Sequence, residues 1–194
     1  MTDADARRAR VVVHELGHAL TGRSCGWRIR TVVTTPSANN VTGWCDHYPK
    51  DGLSPLEAAI DDVTILLAGD LAAAMVPVSG FLPDVDGCAE RARAMARAAL
   101  ERLPAAEGAF VYHVLSDTRL STTDAERAEW IGREAAGEEF DLFMAFCGAR
   151  ARRLVAANLQ LIEVLLPVAL ANPILTGEDV EQAIEAARTG QEGS

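Results

Sequence analysis

The stretch Val11–Leu20 reads VVVHELGHAL and contains the pentapeptide HELGH at His14–His18. In a helix, side chains four residues apart project from the same face, so His14 and His18 can direct two imidazoles at one point. Glu15 projects about 100° away, within reach of a water molecule held at that point. The H-E-x-x-H pattern is therefore typical of a zinc hydrolase, with two nitrogen ligands and a carboxylate that takes a proton from water.

The residues around the pentapeptide predict a helix from about Asp5 to Arg23. An aspartate near residue 3 or 5 can cap its start, and Gly22 or Gly26 can end it. Three consecutive valines are poor helix formers, but they are expected in a helix that is buried on most sides. A helix at the centre of an active site meets that condition.

Composition predicts one mainly α domain over residues 1–194, ordered from about 5 to 188, with a disordered tail at 189–194. Apolar residues make up 49% and charged residues 24% of the chain, as in ordinary globular proteins. Two β-branched segments, Ile29–Thr35 and Val41–His47, predict a small hairpin or ribbon after the first helix.

The rest of the chain is predicted to be helical, with two capping boxes that begin at Ser54 and Thr123. Glycines at 132, 137 and 148 predict a break before helix resumes near Phe140. The remaining predicted elements are helices at Pro55–Met75, Asp84–Leu103 and Thr176–Ala187 and an apolar segment at Ala109–Leu115.

Charge and cysteine content exclude several classes of function. The net charge is −10 and Lys50 is the one lysine, so we expect no binding to nucleic acid or anionic membranes and no phosphate-binding loop. Four scattered cysteines without a C-x-x-C pair, and no apolar leader, predict a soluble cytoplasmic protein with reduced thiols. The longest apolar stretch, Leu159–Leu170, is interrupted by polar residues, so no membrane helix is expected.

A catalytic zinc usually has three protein ligands, and spacing alone does not identify the third one here. An aspartate at a helix start is often only a cap. The candidates are two lone histidines and five aspartates: His47, His113, Asp61, Asp62, Asp70, Asp84 and Asp86.

The segment around HELGHAL resembles the peptidase domain of the FtsH-type zinc proteases, whose helix carries H-E-A-G-H-A. The resemblance continues in Ile60–Ala73, which is similar to I-x-V-L-L-G-G-R-A-A-E-E, and in Ala149–Val180, which is similar to the closing helices of the family. It covers roughly residues 6–187. The resemblance implies a helical metallopeptidase domain with Zn²⁺ as cofactor.

In that family the third zinc ligand is an aspartate in a segment of the form N-D-L-E-R-A-T-E-L-A-R. Alignment of this segment with Asp84–Arg93 implies that Asp84 is the ligand, with Asp86 as the alternative. Two features of the motif helix stand out: Leu16 replaces alanine and is expected beside the site, and Gly17 predicts close approach of another backbone. Elsewhere, Asp70 stands where the family has arginine.

The expected function is a zinc metallopeptidase acting on peptides or flexible protein segments, with Glu15 as general base. A zinc amide hydrolase acting on a small molecule, or a non-catalytic protein-binding module, are the alternatives. The family's ATPase module and transmembrane helices have no counterpart in this sequence. The resemblance therefore implies a homo-oligomer and a separate unfoldase as partners, and leaves the substrate open.

Overall fold

The computed structural model describes residues 3–36, 41–76 and 123–192 of the chain. This part is mainly helical with a small antiparallel sheet, which confirms the expected fold class and the hairpin after the first helix. The elements in chain order are α1 Asp3–Ser24, β1 Arg28–Pro36, β2 Val41–Tyr48, α2 Pro55–Met75, α3 Asp124–Ala136, α4 Phe140–Ala171, β3 Ile174–Thr176 and α5 Gly177–Glu192. The segments predicted at Asp84–Leu103 and Ala109–Leu115 lie outside the described residues.

Helix α1 lies in the main hydrophobic core, which also includes residues of α2, α4, α5 and the sheet. Val12 and Val13 are fully buried, so the predicted burial of this helix on most sides is confirmed. The expectation that Leu16 lies beside the site is wrong, because its side chain is fully buried in this core. Two helical residues rotate a side chain by about 200°, which turns Leu16 away from His14 and His18.

Gly17 marks the crossing of α1 and α2. A Cβ atom at this position would lie 2.6 Å from the Cβ atom of Ala72 and 2.8 Å from the carbonyl oxygen of Ala68. No side chain fits in that space, so the predicted close approach of a second backbone is confirmed. The crossing places α2 directly against the helix that carries the two histidines.

Strands β1 and β2 pair antiparallel, with Val33 opposite Trp44, as the sequence predicts. The sequence does not predict β3, whose three residues are too few for a periodic pattern. Strand β3 pairs with the other edge of β1, which gives the order β2-β1-β3. Within the described part of the chain, the outer edge of β2 therefore has no neighbouring strand.

Helices α2, α3 and α4 share a second hydrophobic cluster that includes Val63, Ala128 and Phe143. The chain turns between α3 and α4 at Gly137, which has a φ of +53° and confirms the predicted break. Both predicted capping boxes are confirmed, at Ser54 for α2 and at Thr123 for α3. The cluster and the cap together fix the first turn of α3 relative to α2.

A buried polar network also joins α2 to α4. Asp61 on α2 accepts hydrogen bonds from the indole of Trp27, at 3.1 Å, and from the guanidinium of Arg150, at 2.6 Å. Asp61 is only 6% exposed, and a buried carboxylate is tolerated when its oxygens are paired in this way. Both carboxylate oxygens of Asp61 therefore take part in structural hydrogen bonds.

One described stretch, Asp124–Ala171, contains a window long and apolar enough to cross a membrane by length and composition. The expectation that no window approaches this limit is wrong, because Glu163 is the only charged residue of Leu154–Ala171. Core helices of soluble proteins pass the same test. Helix α4 buries Ile162 and Leu166 in the main core.

Candidate metal centre

His14 and His18 lie one turn apart on α1, and their Nε2 atoms are 2.9 Å from each other. The two rings are nearly perpendicular, with an interplanar angle of 85° and centroids 4.6 Å apart. His18 is buried, whereas His14 is partly exposed. The helical spacing thus brings both imidazoles to one point at the surface of α1.

Asp124 is the third residue at this point. Its Oδ2 atom lies 3.0 Å from Nε2 of His14 and 3.2 Å from Nε2 of His18. Asp124 is the first residue of α3, immediately after Thr123, whose hydroxyl accepts a hydrogen bond from the backbone N–H of Glu126. Within the described residues, these three side chains form the one group able to offer three ligand atoms to an ion.

The outer nitrogen of each imidazole faces a hydrogen-bond acceptor on α2. Nδ1–H of His18 donates to the carbonyl oxygen of Ile65 at 2.7 Å, because a carbonyl can only accept. Nδ1 of His14 lies 3.3 Å from Oδ1 of Asp70. In a neutral ring these contacts favour the proton on the outer nitrogen, which leaves the Nε2 lone pair to bind an ion in place of the hydrogen bond with Asp124.

Gly69 provides the space in which the two rings meet. A Cβ atom there would lie 2.5 Å from Nε2 of His18 and 2.7 Å from Cε1 of His14. Any larger residue would therefore push both imidazoles away from their common point. The backbone of α2 at Gly69 therefore forms one wall of the site.

The electrostatics of the three residues favour a positive charge at the centre. Burial lowers the pKa of His18, but its hydrogen bond with Asp124 and the charge of Glu15 outweigh this effect, so the pKa stands above 6.5. Burial raises the pKa of Asp124, but hydrogen bonds with His14 and His18 outweigh it and hold that pKa well below the usual range. A proton or a metal ion can supply the required charge.

The donor set fits zinc. Two neutral imidazole nitrogens and one carboxylate oxygen are a common protein ligand set of catalytic zinc sites, which keep a further position for water or substrate. The carbonyl oxygen of Ile65 supplies to His18 the outer hydrogen bond that metal-binding histidines usually make, and Asp70 lies in ion-pair contact with the outer nitrogen of His14. His14, His18 and Asp124 could therefore hold a Zn²⁺ ion without rearrangement of their partners.

Glu15 lies beside this centre and is 6% exposed. Burial raises the pKa of its carboxyl group to about 7, although the charges of His18 and His14 act in the opposite direction. A Cβ atom at Gly43 of β2 would lie 2.6 Å from Cγ of Glu15, so the carboxyl group packs against the backbone of this strand. The base predicted from sequence thus lies between the metal ligands and the edge strand.

The other described candidates for the third ligand lie elsewhere. Asp61 is bound by Trp27 and Arg150, and no described ligand cluster includes Asp62. His47 faces the carbonyl oxygen of Ala19, 3.4 Å from its Nε2 atom. Asp70 contacts the outer side of His14 rather than the centre. The remaining candidates, Asp84, Asp86 and His113, lie outside the described residues, so Asp84 as a ligand stays a prediction.

Asp124 is not among the candidates taken from the sequence, although a signal for it is present. The family segment N-D-L-E-R-A aligns with Thr123–Ala128, which reads TDAERA, and four of its six residues are identical. Over the whole eleven-residue pattern the two alignments are nearly equal, with five identities for Thr123–Arg133 and four for Pro83–Arg93, so only the first six residues favour Asp124. Asp124 and His18 are 106 residues apart in the sequence. Spacing within a chain does not show which helices pack together, so the sequence did not identify Asp124 as a neighbour of His18.

No protein-family model matches this sequence, and no curated protein matches it either.

Proposed function

We propose that this chain is a zinc-dependent metallopeptidase in which His14, His18 and Asp124 bind the metal ion and Glu15 acts as general base. The observation that carries the proposal is the convergence of three ligand atoms beside a buried carboxylate. The resemblance of HELGHAL and TDAERA to the FtsH-type pattern supports the same assignment. Neither histidine needs to change its outer hydrogen-bond partner to bind the ion.

A zinc ion at this site would polarise the scissile carbonyl and acidify a water molecule. Glu15 would accept the proton of the attacking water and return it to the leaving amine. Its pKa of about 7, raised by burial, suits a group that must both take and give a proton near neutral pH. The two outer acceptors on α2 keep the histidines oriented during this proton transfer.

The edge strand β2 favours a peptide over a small molecule as substrate. An extended peptide can add to an exposed strand edge through main-chain hydrogen bonds. Gly43 of β2 packs against the Glu15 carboxyl group, so a peptide paired with this strand would pass beside the general base. We therefore favour flexible protein segments as the substrate class.

Hydrolysis of a fluorogenic peptide library, with and without a chelator, tests the proposal. We expect turnover that is lost on chelation and restored by Zn²⁺. Glu15→Gln should retain the metal and lose at least about a hundredfold in rate, within the range for a general base. The exposed residue change Glu163→Gln alters net charge equally and should have no effect.

Three outcomes would count against the proposal. Undiminished hydrolysis by Glu15→Gln would refute the general-base role. Bound zinc without peptide turnover would favour an amide hydrolase acting on a small molecule. Absence of metal binding would favour a non-catalytic module of the same fold.

A further inference from the structure

We propose that Asp70 is a positioning residue that orients His14 for metal binding. Its Oδ1 atom lies 3.3 Å from Nδ1 of His14, on the side of the ring opposite the metal centre. When Nε2 of an imidazole binds a metal ion, the ring proton must sit on Nδ1, and that N–H becomes a stronger donor. The inference rests on the proposed zinc site.

The two histidines are oriented by different means. His18 donates to the backbone carbonyl of Ile65, a contact that no substitution of a side chain removes. His14 instead faces a carboxylate whose side chain is 81% exposed. His14 is also the less buried of the two rings, so packing restrains it less. Of these two outer contacts, the one made by Asp70 is therefore the one that substitution of a side chain can remove.

A carboxylate at position 70 can accept a hydrogen bond from an imidazole N–H, whereas a cationic side chain could not. Asp70 follows Gly69, whose missing side chain lets the α2 backbone lie against both rings. Gly69 and Asp70 therefore bring this turn of α2 into contact with His14.

The test compares Asp70→Asn and Asp70→Ala by competition of the full chain with a chromophoric chelator for Zn²⁺. Removal of such an outer carboxylate weakens metal binding about tenfold to a hundredfold, and the exposed position of Asp70 favours the lower value. We expect Asp70→Ala to bind about tenfold more weakly. Asp70→Asn keeps an acceptor oxygen and should lie between Asp70→Ala and the wild type.

One control variant and two further measurements separate the effect of ring orientation from the effects of charge and folding. Glu163→Gln removes the same charge from an exposed position on α4 and should leave Zn²⁺ affinity unchanged. With Co²⁺ in place of Zn²⁺, the absorption spectrum should shift in Asp70→Ala because the ring of His14 moves. The midpoint of chemical unfolding in the presence of chelator should be the same for Asp70→Ala and the wild type, because the side chain of Asp70 is exposed.

Equal affinities of the wild type and Asp70→Ala would refute the role of Asp70 while leaving the zinc site intact. Equal loss in Asp70→Asn and Asp70→Ala would show that charge alone matters, and would also refute it. A wild-type chain that binds no Zn²⁺ would instead overturn the metal site itself.

Discussion

At the scale of single residues, Glu15 carries the largest electrostatic cost in the described site. Its carboxyl group is buried against Gly43, and burial raises its pKa from 4.5 to about 7. A shift of this size corresponds to about 3 kcal/mol of lost stability when the group is fully ionised. This buried carboxyl group is therefore a source of instability in the metal-free protein.

We expect Glu15→Gln to stabilise the metal-free chain in a pH-dependent way. Below pH 4.5 the carboxyl group is protonated in the folded and unfolded states, so it imposes no charge cost. As pH rises from 4.5 to about 7, the unfolded state ionises first and the wild type loses stability. The difference in unfolding free energy between variant and wild type, measured in chelator, should grow by about 3 kcal/mol across this range.

Glu163→Gln is the control for this experiment, because an exposed carboxylate keeps its hydration when the chain folds. The rise with pH in Glu15→Gln should therefore exceed any change in Glu163→Gln. Equal pH dependence of the two variants would show that Glu15 is not buried as described.

Sequence reasoning identified the residues that lie on one helix and failed where two helices meet. The spacing of His14 and His18 was sufficient to predict that their imidazole rings meet, because helical geometry alone brings them together. Asp124 was not predicted, since its position depends on how α3 packs against α2. Leu16 is next to Glu15 in the sequence, but its angle on the helix directs its side chain into the main core.

At the scale of elements, the first turn of α3 determines where Asp124 lies. Thr123 and Glu126 exchange hydrogen bonds between side chain and backbone, and this capping box fixes the helix start. An equivalent box at Ser54 and Glu57 begins α2, 16 residues before Asp70. The chain thus offers two matched caps, of which one supports the metal centre.

Thr123→Ala and Ser54→Ala should each cost about 1 kcal/mol in unfolding free energy, because each removes one helix cap. Zn²⁺ affinity should fall only in Thr123→Ala, since loosening of α3 displaces Asp124. Calorimetry in chelator and metal titration of both variants measure the two effects. Equal affinities in the two variants would contradict a role for the α3 cap in placing the ligand.

Most elements were predictable from local patterns, because caps, glycines and β-branched runs act over a few residues. The hairpin, both capping boxes and the break at Gly137 are examples. Strand β3 was not predictable, since its three residues become a strand only by pairing with β1. Helix α4 continues past Pro167 to Ala171, where local rules allowed either a kink or a new segment.

At the scale of the whole molecule, three helices from distant parts of the chain build one centre. Helix α1 supplies two histidines and Glu15, α3 supplies the carboxylate of Asp124, and α2 supplies the outer acceptors. The sheet lies on the other side of Glu15 and offers β2 as an edge. The cytoplasmic location, the homo-oligomer and an unfoldase partner stay predictions.

The most direct test of the central claim is a Zn²⁺ titration of the wild type, Asp124→Ala and Asp84→Ala, with circular dichroism to check folding. We predict one Zn²⁺ per wild-type chain and at least about a hundredfold weaker binding by Asp124→Ala, because a direct ligand contributes more than an outer one. Asp84→Ala should bind as the wild type does. Loss of affinity in Asp84→Ala with full affinity in Asp124→Ala would contradict the account and return the third ligand to Asp84.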